Sequence, residues 1–193
     1  MPTLPLALLV AFVVTQVAIF TTTIYLHRSL THRAVRFAGP VDAVFRVLTW
    51  LTTGIRPRQW AAVHRKHHAH TDTVDDPHSP AVLGWWTVQL RNVFLYRAAA
   101  QDPETVEKYA KDLPRTAWDH RLFDHAMVGL GLLVALLIAV FGPVIGLVAA
   151  GFHFVTYLAL SGACLLYTSP SPRDIEVHRV CRLLLERGGG GGG

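Results

Sequence analysis

Residues 4–26 contain no charged side chain. As a helix rising 1.5 Å per residue, a stretch of this length covers about 34 Å, against about 30 Å for the hydrocarbon of a bilayer. It reads as a spanning helix. A signal peptide fits less well: the apolar region is too long, no basic segment precedes it, and no small-residue cleavage site follows before His27. His27 and His32 close the stretch, and His64, His67 and His68 follow a little further on. A soluble fold has no reason to place five imidazoles beside the mouth of a membrane helix. Imidazole is the commonest nitrogen ligand for iron, zinc and copper, so five of them imply a polynuclear metal site.

The rest of the chain fits the same plan. Residues 126–163 carry no formal charge, and Gly142-Pro143 supplies a breaker in their middle. This predicts a helical hairpin with spans over 126–141 and 143–163. Over residues 40–56, Val41, Val44, Phe45, Leu48, Leu51 and Ile55 recur at helical spacing, with Asp42, Arg46, Thr49 and Thr53 largely opposite. That segment is too short to cross and predicts an interfacial helix lying in the membrane plane. Residues 85–96, with two tryptophans at the start and Arg91, Asn92 and Arg97 on a polar side, have a similar character. Asp102-Pro103 reads as an N-cap followed by proline at the first helical position, opening a short helix to about residue 111.

Charge placement orients these elements. Fourteen basic residues from Arg28 to Arg121, among them Arg33, Arg56, Arg65, Lys108 and Arg115, lie between the first span and the hairpin, whose turn has none. The positive-inside tendency puts that whole stretch in the cytoplasm, with both histidine clusters on one face. No nucleic-acid partner is expected.

The last 30 residues have a different origin. Residues 164–174, CLLYTSPSPRD, read as one frame of a transposase sequencing adaptor, and residues 180–186, VCRLLLE, as the flow-cell end of such a library. Six glycines, Gly188 to Gly193, are what a run of uncalled G bases would encode. The tail is expected to be non-native and to have no place in the fold. It holds both cysteines, Cys164 and Cys181, so cysteine usage says nothing of redox compartment. Its four arginines and three acids leave +4 of the formal +5 on residues 1–163.

Spacing carries the chemistry. On a helix His64, His67 and His68, at i, i+3 and i+4, face one way and converge on metal. His27 and His32, five apart, stand about 140° around a helix of 3.6 residues per turn. Either they address different metals or the helix loosens there. His70, His78, His120, His125, His153 and His178 fall outside these two boxes and are not expected to be ligands, with His125 and His153 the nearest to the membrane.

The segments HRSLTHR and WAAVHRKHHAHTDTVDDPHSP resemble the first two histidine boxes of the integral-membrane fatty acid desaturases, in particular the delta-9 acyl branch. The likeness runs over residues 4–163. It implies an all-α fold, a membrane helical bundle capped by a cytosolic helical domain that holds two iron ions. His27, His32, His64, His67 and His68 match its ligand positions. Trp60 resembles a tryptophan lining the acyl tunnel, and Thr156 a threonine near the substrate kink. Asp72, Asp75 or Asp76 would orient ring nitrogens from behind. The implied reaction places a double bond in a fatty acyl chain, CoA- or lipid-linked, using dioxygen and two electrons from a ferredoxin or cytochrome b5-type donor at a bacterial cytoplasmic membrane.

Departures from the family pattern bear on this reading. The third box, His-x-x-His-His, and an Asn-x-x-x-His element are expected after residue 163, so the chain as written is expected to be inactive. Ala62-Val63 stand where the animal relatives carry Arg-Asp for a coenzyme A headgroup, and those relatives have an extra helix before the first box. A hydroxylase of the same histidine-rich class needs the same metals, although the TD, DPH and HR-x-HH context favours desaturation. A membrane metal-binding protein without redox activity would place its ligands nearer the midplane.

Overall fold

A computed structural model describes residues 3–167, with side chains over 3–161. The tail expected from residue 164 to have no place in the fold begins inside a helix, since residues 164–167 complete the helix that starts at Pro143; the rest, including the six glycines, lies outside the described residues. Among the described residues there is no strand, and the fold is all-α. Helix α1, Thr3–Phe20, continues without a break into a π-helical segment, Thr21–Thr31. Next come α2 (Gly39–Thr53), α3 (Pro57–His70), α4 (Pro80–Leu83), α5 (Trp85–Gln101) and α6 (Pro103–Tyr109). The hairpin of α7 (Ala126–Phe141) and α8 (Pro143–Tyr167) closes the order. The run Thr3–Thr31 and the stretch Pro143–Ser161 are long and apolar enough to cross a bilayer, and Ala126–Phe141 is a shorter apolar helix.

Small residues explain how these helices meet. α1 lies along α8, and α8 along α7. The contact is lined by Ala7, Val10, Ala11, Leu133, Leu137, Ala149 and Ala150, all buried. Alanines let backbones approach closely, which is where van der Waals packing between apolar helices comes from. The bulky apolar side chains point the other way: Leu9, Phe12, Val13, Val140, Val144 and Val155 are each at least half exposed. In water such a surface would be a liability, and in lipid it costs nothing.

Helix α2 follows the same inverted rule. Its periodicity is the expected one, but the buried side chains are Thr49, Trp50 and Thr52, while Val41, Val44 and Val47 are exposed. Burying the threonines leaves no unpaired hydroxyl, because Thr49 donates to Phe45 O and Thr52 to Leu48 O within their own helix. Trp50 turns toward the hairpin, packs edge-on against Phe123, and donates its indole N–H to His125 O at 3.2 Å.

His153 is the polar node of the bundle. It is fully buried on α8, with Nε2 2.8 Å from Thr52 O and Nδ1 3.0 Å from Thr15 Oγ1. A carbonyl only accepts, so Nε2 carries the hydrogen, while Nδ1 lies against the Thr15 hydroxyl, which is also 2.7 Å from Ala11 O. One neutral imidazole thereby joins α1, α2 and α8. Deeper toward the site, Thr22 and the Tyr157 hydroxyl meet at 2.8 Å.

Gly129 is where α7 can lie against α2. A Cβ there would sit 2.6 Å from Trp50 O and 2.7 Å from the indole ring. Gly129→Ala is expected to destabilise the purified protein by about 1–3 kcal/mol, the usual cost of overpacking a tight contact. Thermal unfolding in detergent checks it, and an unchanged midpoint would show that the α2–α7 contact is looser than described.

Candidate metal centre

The first box depends on a change of helix type. From Thr21 to Thr31 the chain is π-helical, with i to i+5 bonding. Within it, Thr31 Oγ1 donates to Leu26 O, five residues back. At its end His32 N donates to His27 O at 3.0 Å. The bond between residues five apart puts the two histidines one above the other, so the helix loosens as the spacing required. Their Nε2 atoms are 3.2 Å apart.

The second box sits on an ordinary α-helix. Pro57 occupies the first turn of α3, where a missing N–H is harmless. His64 and His68, at i and i+4, present Nε2 atoms 3.0 Å apart. α3 lies against the π-helical segment. The four rings then form a square: centroids are 4.4 Å apart for His27–His32, 4.6 Å for His64–His68, 4.9 Å for His27–His64 and 5.0 Å for His32–His68. The diagonals are 6.3 and 6.2 Å. One nitrogen from each of the four lies within 4.8 Å of the others.

His67 leaves this square. It turns into a second buried group with Asp76 and His78, again with one ligand atom of each within 4.8 Å. Its Nδ1 is 2.9 Å from both Asp76 oxygens, so Nδ1 carries the hydrogen and Nε2 is the nitrogen that could accept a metal. Asp76 also accepts the backbone N–H of His78 and of Asp72. The His78 ring stacks on His67 at 4.8 Å, and both its nitrogens are buried without a hydrogen-bond partner among the described residues.

Electrostatics favour the neutral form of His64 and His78. Burial, and then the neighbouring imidazoles with His68 foremost, hold His64 far below the usual histidine range. Burial lowers His78 to about 4, with His67 adding to the effect and Asp76 opposing it. Burial alone would raise Asp76, but the His67 hydrogen bond and the His78 backbone N–H outweigh it and hold the carboxylate below its ordinary value. Neutral imidazoles converging through Nε2, with a carboxylate fixing one ring from behind, are a donor set that fits first-row transition metals.

The remaining candidates separate clearly. Trp60, one turn before His64, stacks flat on its ring at 4.5 Å and 15°. Thr156 is exposed on α8, where His153 and Tyr157 take the inward positions. Asp72 accepts from Ser79, and Asp75 is exposed, 4.0 Å from His70. His70 Nε2 meets the Tyr109 hydroxyl. His78 is the residue that spacing did not select. Its signal was the Asp76-Pro77-His78 turn, in which Asp76 accepts the His78 backbone N–H and places the ring against His67.

Acid should destabilise this centre in a defined window. His78 titrates at about 4 when folded against 6.5 otherwise, so below pH 6.5 the unfolded chain takes up a proton that the folded one refuses. Its contribution is complete above pH 6.5 and is lost as pH falls toward 4. Thermal midpoints of metal-free protein are expected to drop across that interval, and His78→Gln to flatten the slope. Equal slopes would show that His78 is not held neutral by the fold.

Comparison with known proteins bears on what this centre belongs to. Residues 3–171 match the family described as fatty acid desaturase. The chain is 31% identical over 144 residues to the sn-2 palmitoyl-lipid 9-desaturase of Nostoc sp. (strain 36), covering 74% of this chain and 47% of the relative. It is 30% identical over 139 residues to an acyl-CoA 5-desaturase of Anemone leveillei, covering 72% and 40%. Delta-9 acyl-lipid desaturase 2 of Arabidopsis thaliana is 26% identical over 191 residues, covering 91% and 54%. The chain therefore spans about half the length of the curated relatives it matches. No solved structure matches it. The family match runs through both histidine boxes and every helix that carries or supports them, and the chain belongs to the fatty acid desaturase family.

Proposed function

We propose that this chain supplies the first two histidine boxes of a membrane enzyme that introduces a double bond into a fatty acyl chain, at the 9-position by its likeness to the delta-9 branch. The observation that carries the reading is the square of His27, His32, His64 and His68 at the end of a membrane-length helix, with His67 turned to a second position beside it. In this reading these five histidines hold two iron ions together with histidines of a third box beyond residue 163. Unactivated methylene C–H bonds yield to no side-chain acid or base, so the chemistry supplied by bound iron and dioxygen is oxidative. One dioxygen and two electrons from a ferredoxin or cytochrome b5-type donor are consumed per double bond.

The protein's own residues bind, orient and exclude water. Trp60 covers one face of His64 and offers the acyl chain an apolar wall beside the centre. Asp76 fixes the tautomer of His67. Ala62 and Val63, which occupy the place of the headgroup-binding pair in animal relatives, are both buried and apolar. They can make no contact with a coenzyme A headgroup, which supports a lipid-linked acyl chain as the substrate.

Membrane placement follows from the same elements. Thr3–Thr31 and the α7–α8 hairpin span the bilayer, and α2 and α5 lie along its cytoplasmic surface. The basic segment from Arg28 to Arg121 then lies in the cytoplasm, where a soluble donor reaches the histidines. A bacterial cytoplasmic membrane is the setting this implies.

The gene carried in its native frame beyond residue 163, expressed in a desaturase-deficient host, should yield monounsaturated acyl chains in membrane lipid. His64→Ala should remove the product while membrane insertion is retained, because the substitution touches no span. Gas chromatography with mass spectrometry of the lipids distinguishes the outcomes. Hydroxylated chains alone would move the protein to the hydroxylases, and bound metal without any lipid product would leave a metal-binding protein.

A further inference from the structure

Two sides of the imidazole square are set within a single helix: His27–His32 by the π-helical turn and His64–His68 by the α-helical one. The other two, His27–His64 at 4.9 Å and His32–His68 at 5.0 Å, join residues 37 and 36 apart in sequence, on different elements, and need something else to fix them. An arginine directly follows a histidine of the square in each element: Arg33 after His32 and Arg65 after His64. Both reach one carboxylate, Asp112, in the connection after α6. Arg33 Nη2 is 2.5 Å from Oδ2, and Arg65 holds Oδ1 at 2.5 Å and Oδ2 at 3.1 Å in a two-pronged pair.

Arg65 does more than pair. Its Nε donates to Thr31 O and Nη2 to Leu30 O, the carbonyls at the end of the π-helical segment, while Nη1 donates to Tyr109 O. Only 17% of its side chain is exposed. The guanidinium thus caps the first-box segment from a position on the second-box helix, and Asp112 fixes its plane. Arg33 has a left-handed backbone, φ 54°, and its N–H donates to Ser29 O where the π-helix stops. Such a conformation is uncommon away from glycine and persists when its surroundings hold it.

We propose that Asp112 is a positioning residue for the metal centre, bracketing Arg33 and Arg65 so that the two histidine pairs face each other at binding distance. The proposal rests on the metal-centre reading above. It does not depend on the ion pairs stabilising the fold, since partly exposed pairs contribute little. What the bracket governs is the separation of the ligand pairs, and partners behind the ligands commonly alter metal affinity by about 10–100-fold.

The test uses the whole 193-residue chain in detergent micelles, with Co(II) as the probe. Affinity, the visible ligand-field spectrum and the metal-free thermal midpoint are measured together. Asp112→Asn keeps the shape and removes the charge; it is expected to weaken Co(II) binding about tenfold or more and to shift the spectrum, with the metal-free midpoint little moved. Arg65→Lys should do the same, because an ammonium cannot replace the two-pronged pair, and Asp112→Glu should recover part of the affinity. Combining Asp112→Asn with Arg33→Gln should cost no more than Asp112→Asn alone, as groups acting in one contact are not additive. An Asp112→Asn protein with a lowered midpoint but unaltered affinity and spectrum would make the residue purely structural and overturn the proposal. If the unaltered chain binds no Co(II), the metal-centre reading falls and takes this proposal with it.

Discussion

The hydrogen bond from His32 N to His27 O, closing a turn of five residues rather than four, is the interaction on which the site depends. In an α-helix the two imidazoles of the first box would stand about 140° apart and no second element could meet both. The wider turn costs backbone hydrogen-bond quality, and the local sequence offsets it with hydroxyls. Thr21 and Thr22 both donate to Ala18 O and Thr31 to Leu26 O, where carbonyls are drawn off the regular ladder. Wide turns of this kind are found mostly at functional sites. Here the reason is geometric: a continuous membrane-length helix must present two imidazoles on one side at its end.

A second constraint is the inversion of polarity. The helices bury alanines and threonines beside a few large side chains such as Leu133, Leu137 and Trp50, while most of their bulky apolar residues face outward, so polar contacts have a large share in holding the interior. His153 joins three helices through Thr15 and Thr52, and Trp50 reaches His125 O across from α2. Thr22 and Tyr157 tie the start of the π-helical segment to α8 just before the first box. These contacts place the start of the π-helical segment, and α3 is placed against it in turn. Precision at the imidazoles is inherited from polar contacts within the apolar bundle.

Much of this was legible in the sequence because periodicity and spacing are local. The uncharged stretch of residues 4–26, the Gly142-Pro143 breaker, the Asp102 N-cap and the pairing of His64 with His68 all follow from residues within one or two turns of each other. What spacing could not resolve was direction and distance. The i, i+3, i+4 pattern puts His67 on the same side as His64 and His68, yet Asp76, nine residues on, draws its ring into a separate group with His78. α2 showed its two faces, but which one turns inward depends on whether lipid or protein lies outside, and Thr49, Trp50 and Thr52 are the inward set. Asp112 belongs to no motif at all. Its importance appears only once α6 has brought it beside two arginines from distant boxes.

Charge is distributed unevenly around the two groups. The square contains four imidazoles and no carboxylate, and Arg33 and Arg65 adjoin it in sequence. Asp76 and Asp112 bring negative charge close to the imidazoles without belonging to the square. Asp76 acts through the His67 ring, and Asp112, lowered to about 2 chiefly by its hydrogen bond from Arg65, acts through the two arginines. Both are held below the ordinary carboxylate range, so each is ionised across the physiological range. The same two side chains also fix geometry, one a tautomer and the other a separation between elements. Electrostatic support and ligand placement at this centre are therefore carried by the same hydrogen bonds.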